Sequence, residues 1–121
     1  MKKYLEASRG KYAMNKDYKL RYLPVFYEDL DEKITYIAEK LENQAAASDL
    51  LDKVEEAILK RLPVAESFEP YHSIKERKYK YYRIYVDNFT IYYVVINDVP
   101  DAPIMEVRRF LYNGQNRDKM V

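Results

Sequence analysis

Two apolar stripes that almost touch constrain the fold of this chain more than any other feature. Phe26, Leu30, Ile34, Ile37 and Leu41 recur at intervals of four, four, three and four, the period of a helix with one buried side. Ala47, Leu50, Leu51, Val54, Ala57, Ile58 and Leu62 form a second stripe that stops at Pro63, and Asn43 is placed to cap it. The spacing predicts one helix from about Pro24 to Glu42 and a second from Asn43 to Pro63. With a residue or two between them they fold back as an antiparallel hairpin. The apolar side of that hairpin must be buried against another layer.

The other layer is a sheet. Tyr18 to Leu23 alternates, with Leu20 and Tyr22 on one side and Lys19 and Arg21 on the other, as a short amphipathic strand does. Three further strands are predicted over Tyr79–Val86, Phe89–Ile96 and Ile104–Tyr112. Asp87-Asn88 joins the first two, because both residue types tolerate positive φ, and the prolines of "NDVPDAP" hold back the last strand. The expected class is α+β, in the order β-α-α-β-β-β, an antiparallel sheet covered on one face by a two-helix hairpin. In that arrangement Ile84, Val86, Phe89, Ile91, Tyr93 and Val95 face the helices, while Tyr81, Arg83, Tyr85, Thr90 and Tyr92 face away.

Charge follows the same division. The net charge is +1, but residues 1–22 carry +5, residues 23–73 carry −7 and residues 74–121 carry +3. If the two basic segments meet, their shared surface attracts polyanions and the acidic helices point elsewhere. The stretch "KERKYKYYRIY", Lys75 to Tyr85, concentrates cations and tyrosines on the strand that would edge that surface. The 121 residues hold no cysteine, and 48% are hydrophobic, which suits one compact domain without a disulfide framework or thiolate metal site. With no long apolar run and no signal peptide, the expectation is a cytoplasmic protein without a membrane segment.

In the order and spacing of "YKLRYLPVFYEDLDEKITYIAEKL", "AAASDLLDKVEEAILKRLP", "YYRIYVDNFTIYYVVI" and "VRRFLYNGQNRD", the chain resembles the RelE/ParE superfamily of toxins from bacterial type II toxin–antitoxin systems. The resemblance divides the chain into an N-terminal extension, residues 1–17, and a RelE/ParE-like domain, residues 18–121. Met14 stands directly before the family-like start, so the leading residues are either untranslated from an alternative start or an accessory arm carrying Arg9, Lys11 and Lys16.

The resemblance implies a cognate antitoxin as partner and one of two targets: mRNA on the ribosome, cleaved as in the RelE branch, or DNA gyrase, inhibited as in the ParE branch. A non-catalytic binding module that has lost the RNase residues is the third reading. Metal-free RNA cleavage needs an activated 2′-hydroxyl, a proton donor for the leaving oxygen and cations around the phosphorus. Arg83 matches one basic position of the RelE-like pattern and Arg117 the arginine after the last strand. Tyr85 and Thr90 stand where other basic residues occur, and no RelE-like tyrosine follows Arg117. Arg83, Arg117 and Tyr85 are therefore the candidate catalytic residues. Lys80, Tyr92, Arg108, Arg109 and Tyr112 are the candidate nucleic-acid contacts, the tyrosines by stacking and the paired arginines by clamping a phosphate. Arg109 has a structural alternative at the sheet edge, unless a bulge turns it outward.

No nucleotide-binding, zinc-protease or nucleophile motif is present. His72 reads as a surface histidine, and acidic pairs such as Asp29/Asp31 and Glu55/Glu56 read as solvated helix faces. No metal and no cofactor are expected.

Overall fold

A computed structural model describes residues 17–71 and 78–115. Its elements are β1 (Lys19–Tyr22), α1 (Pro24–Thr35), a π-helical turn (Tyr36–Lys40), α2 (Gln44–Arg61), a 3-10 turn (Leu62–Val64), and strands β2 (Tyr81–Val86), β3 (Phe89–Ile96) and β4 (Ile104–Tyr112). Two helices pack on a four-stranded sheet of order β1-β4-β3-β2.

The sheet is mixed, which corrects the expectation of an antiparallel one. β2 with β3 and β3 with β4 are antiparallel, but β1 pairs parallel to β4, with Lys19 opposite Ile104 and Tyr22 opposite Val107. The cause is the connection after β1. Only Leu23 separates β1 from α1, too little for a reversal, and Pro24 occupies the first helical turn, where its missing N–H costs nothing. Leu23 N–H donates to Val107 O, and a few residues later the Asp29 carboxylate accepts from Phe110 N–H. Helix α1 thus advances along β4 in the sense of β1, α2 alone brings the chain back, and the alternating strands after it leave β4 parallel to β1.

The first helix also ends earlier than its stripe suggests. After Thr35 the ladder widens into the π turn, Leu41 N–H reaches back to Tyr36 O, and Glu42 takes φ 48°. A left-handed residue ends a helix. The wider turn rotates the residues after it, so Leu41 is 57% exposed rather than buried. Glu28, Asp29, Asp31 and Glu32 fall beyond the first turn, which contains no acid. Asn43 caps α2 as expected, its Oδ1 accepting from Ala46 N–H at 2.9 Å. Asn43→Ala lowers the unfolding free energy by about 1 kcal/mol in urea titration, the typical effect of losing an N-cap; an unchanged midpoint would contradict the capping role.

The core lies between the helices and one sheet face. Phe26, Leu50, Val54 and Ile58 meet Ile84, Ile91, Tyr93, Val107 and Phe110. Arg61, in the last turn of α2, donates to Arg83 O at 3.1 Å and to the Tyr93 hydroxyl at 3.0 Å, and that hydroxyl donates to Ala65 O at 2.6 Å. The guanidinium takes an outward carbonyl of edge strand β2, which otherwise offers a template for another chain.

Four buried or half-buried tyrosines resist ionisation. Burial raises Tyr18, Tyr22, Tyr82 and Tyr93 above the usual tyrosine value, with the Glu66 carboxylate adding to the effect at Tyr18; Tyr93 reaches about 12 although Arg61 opposes the rise. Raised folded-state values give stability that is complete below the unfolded value of about 10 and lost as pH climbs through the folded ones. The melting temperature should accordingly hold up to about pH 10 and fall between there and about pH 12, with part of the tyrosinate absorbance appearing only on unfolding. A melting temperature flat to pH 12 would contradict this.

Candidate nucleic-acid interface

The sheet face turned away from the helices is not bare. Tyr81, Tyr92, Val94 and Leu111 form a second, smaller cluster on it, and Tyr71, Tyr79 and Ile96 pack against them. Tyr71 lies one bridge outside β2, its N–H bonded to Tyr81 O, and its ring meets Tyr92 edge-on at 5.8 Å. Tyr92 is consequently 0% exposed. That corrects its assignment as a base-stacking residue, because no side of the ring reaches solvent. Thr90, also buried, donates its hydroxyl to Asn113 Oδ1 at 2.6 Å.

Arg83 and Tyr85 occupy β2 on this face, as alternation requires. The Arg83 guanidinium lies 4.9 Å from the centre of the Tyr71 ring and 5.7 Å from that of Tyr85, which is 63% exposed. Cation–π contact with two rings holds the guanidinium in place while leaving its N–H groups for a ligand. Lys80 is exposed just before β2, and Tyr112 at the end of β4 is 50% exposed, its ring edge-on to Phe89. A side chain at Gly114 would press on the Tyr112 ring at 3.1 Å, so the glycine leaves that ring its place. Tyr85 also borders an open depression of about 310 Å³ with Lys53, Glu56, Lys60 and Asp87, where Lys53 pairs with Asp49 and Asp87 and Lys60 with Glu56.

Arg108 and Arg109 do not form a phosphate clamp. The β3–β4 register shifts between Tyr92 and Tyr93, which stand opposite Arg109 and Val107, so Arg108 is the extra residue of a bulge. Arg109 holds Asp29 bidentately, Nε to Oδ2 at 2.7 Å and Nη2 to Oδ1 at 2.8 Å. Those hydrogen bonds keep its pKa above the ordinary value against partial burial. Of the two alternatives for Arg109, the structural one describes it: a bulge is present at Arg108, but Arg109 is held by Asp29 of α1 rather than turned outward to a ligand. Arg108 donates Nε to Glu106 Oε1 at 2.8 Å and Nη1 to the Tyr81 hydroxyl at 3.0 Å. Burial disfavours its charge, but these two partners prevail and raise its pKa.

Asp29 is buried rather than a solvated helix residue, and Glu106, the other buried carboxylate among the described residues, carries no signal in the sequence. Arg117 and His72 lie outside the described residues, as does the N-terminal extension apart from Asp17. Among the described residues no cluster of His, Cys, Asp or Glu is able to hold a metal ion, and no helix is long and apolar enough to cross a membrane. No protein-family model matches the chain, and no curated protein matches it in sequence.

Proposed function

We propose that this chain is a cytoplasmic growth-inhibiting toxin of the RelE/ParE kind, held in check by a cognate antitoxin, and that it cleaves mRNA on translating ribosomes. One observation carries the reading: Arg83, braced between Tyr71 and the exposed Tyr85, lies on the sheet face that the helices leave uncovered. The chemistry is a transesterification. The 2′-oxygen loses its proton to water and bonds to phosphorus, Arg83 neutralises the charge that builds on the phosphoryl oxygens, the bond to the 5′-oxygen breaks as the Tyr85 phenol gives it a proton, and water then reprotonates the tyrosinate. Arg117 supplies a second cation in this scheme. Tyr22, Phe26, Tyr27, Leu30, Leu51, Val54 and Ile58 line a largely apolar slot of about 140 Å³, with Glu55 in its wall, that suits an antitoxin side chain.

A second reading, a binding module without catalysis, is favoured by one specific arrangement: Arg109 is held by Asp29 and Thr90 is buried, leaving few groups beside Arg83 to stabilise charge at the phosphorus. Induced expression in bacteria separates the readings. Growth arrest with codon-phased cuts in primer extension, relieved by co-expressing the product of the adjacent small reading frame, supports the toxin. Arrest with DNA-damage signalling and intact mRNA moves the target to gyrase, and unimpaired growth supports the binding module.

A further inference from the structure

We infer that Arg21 and Arg108, spread on either side of the buried Glu106, form a second anion site on the uncovered sheet face, one that grips the backbone of a single-stranded RNA. The inference rests on the proposed action on RNA and adds a subsite to it. Glu106 is 4% exposed, and both its oxygens are taken. Arg21 reaches Oε2 from Nε at 2.7 Å and from Nη2, and Arg108 reaches Oε1 from Nε at 2.8 Å. Two guanidinium groups against one carboxylate leave a net charge of +1, and the engaged carboxylate is poorly placed to repel or replace a ligand. Among the described residues no hydrogen bond engages Arg21 Nη1 or Arg108 Nη2. The Arg21 side chain is 51% exposed, while that of Arg108 is 24% exposed.

Stability alone is a poor reason for such a triad, because burying charges costs about as much as their attraction returns and apolar packing often does better. What the triad does supply is orientation. A buried glutamate that fixes two forked cations leaves their remaining N–H groups at set positions, the arrangement that phosphate recognition requires. The site also has the right neighbours. Glu106 stands opposite Val94, which stands opposite Tyr81, one row from Arg83, and Lys19 is exposed one alternation away from Arg21 on β1. Three inter-strand spacings, about 14 Å, separate β1 from β2. A strand of several nucleotides crosses that width with phosphates at both edges and a base on Tyr85, whereas a single nucleotide touches one edge only.

Fluorescence anisotropy with a labelled 12-nucleotide oligouridine, measured across salt concentrations, tests the site. Arg21→Ala, at a half-exposed side chain, should weaken binding about tenfold and flatten the slope of log K against log salt by about 0.7, one single-strand phosphate contact. Glu106→Gln gives the sharper contrast. It makes the face more positive by one charge, so a diffuse electrostatic surface binds RNA more tightly, while a positioned pair of arginines, once released, binds more weakly. Thermal melts confirm that each variant is folded; should Glu106→Gln not fold, Arg21→Ala decides. Tighter binding by Glu106→Gln, or an unchanged slope in Arg21→Ala while Arg83→Ala still weakens binding, overturns this site and leaves the RNA reading standing. Failure of the unmodified chain to bind overturns this site, and the ribosome-dependent reading is then decided separately by the primer extension described above. If a polyglutamate peptide binds through Arg21 and RNA does not, the site belongs to an acidic protein partner and the assignment is wrong.

Discussion

Asp29→Ala is expected to lower the unfolding free energy by about 3–5 kcal/mol, the range for removing one partner of a buried ion pair. The loss exceeds that of an ordinary surface pair because the carboxylate performs three tasks at once. It holds both donors of the Arg109 fork, at 2.7 and 2.8 Å, and it accepts Phe110 N–H at 3.0 Å. Among the described residues no strand lies beside that amide: β1 stops at Tyr22, opposite Val107, and the outer edge of β4 beyond that point has no backbone partner there. Alanine takes both carboxylate bonds from the half-buried Arg109 guanidinium and orphans the Phe110 amide, and water reaches the gap poorly, since the Asp29 and Arg109 side chains are 10% and 19% exposed. Urea unfolding measures the difference. Asp29→Asn, which keeps an acceptor for the amide and loses the charge, should fall between the two. Equal stability for the unmodified chain and Asp29→Ala would show that the pair contributes nothing net, contrary to this geometry.

The same residue shows where periodicity stops informing. Asp29 lies three residues after Phe26 and one before Leu30, inside a run of acids that reads as solvated, and only the premature end of β1 gives it a buried role. What depends on alternation within a segment is legible: both hairpin strands, the capping by Asn43, the positive φ of Asp87 and the side on which Arg83 and Tyr85 lie. What depends on a partner far along the chain is not. Parallel pairing of β1 results from a one-residue connection and the path of α1, the π turn leaves no mark in the stripe that it interrupts, and the bulge at Arg108 changes the phase of β4. Val107 and Phe110 both face the core for that reason, and strict alternation forbids it. Tyr92 departs from expectation differently. Alternation puts it on the correct side of the sheet, but the cover supplied by Tyr71, twenty-one residues earlier, is invisible to any local pattern.

Arg83→Ala should abolish growth arrest and reduce mRNA cleavage by about 10²–10³-fold, the effect of removing one preorganised group from developing transition-state charge. Little of that loss should come from unfolding. The structural contribution of Arg83 at the outer edge of β2 is its carbonyl, which accepts from Arg61 and survives the substitution. What disappears is the side chain between the Tyr71 and Tyr85 rings. Arg83→Lys discriminates further. Lysine keeps the charge but is a point cation without the planar fork, so it stacks less well and presents no paired N–H edge. Binding of oligouridine should then be largely retained while cleavage stays low, separating charge attraction from placement of that charge at the phosphorus. If Arg83→Ala cuts mRNA at the original rate, the guanidinium on β2 is no part of the chemistry, and the exposed Tyr85 beside it loses its assigned role as proton donor, since that role depends on their adjacency.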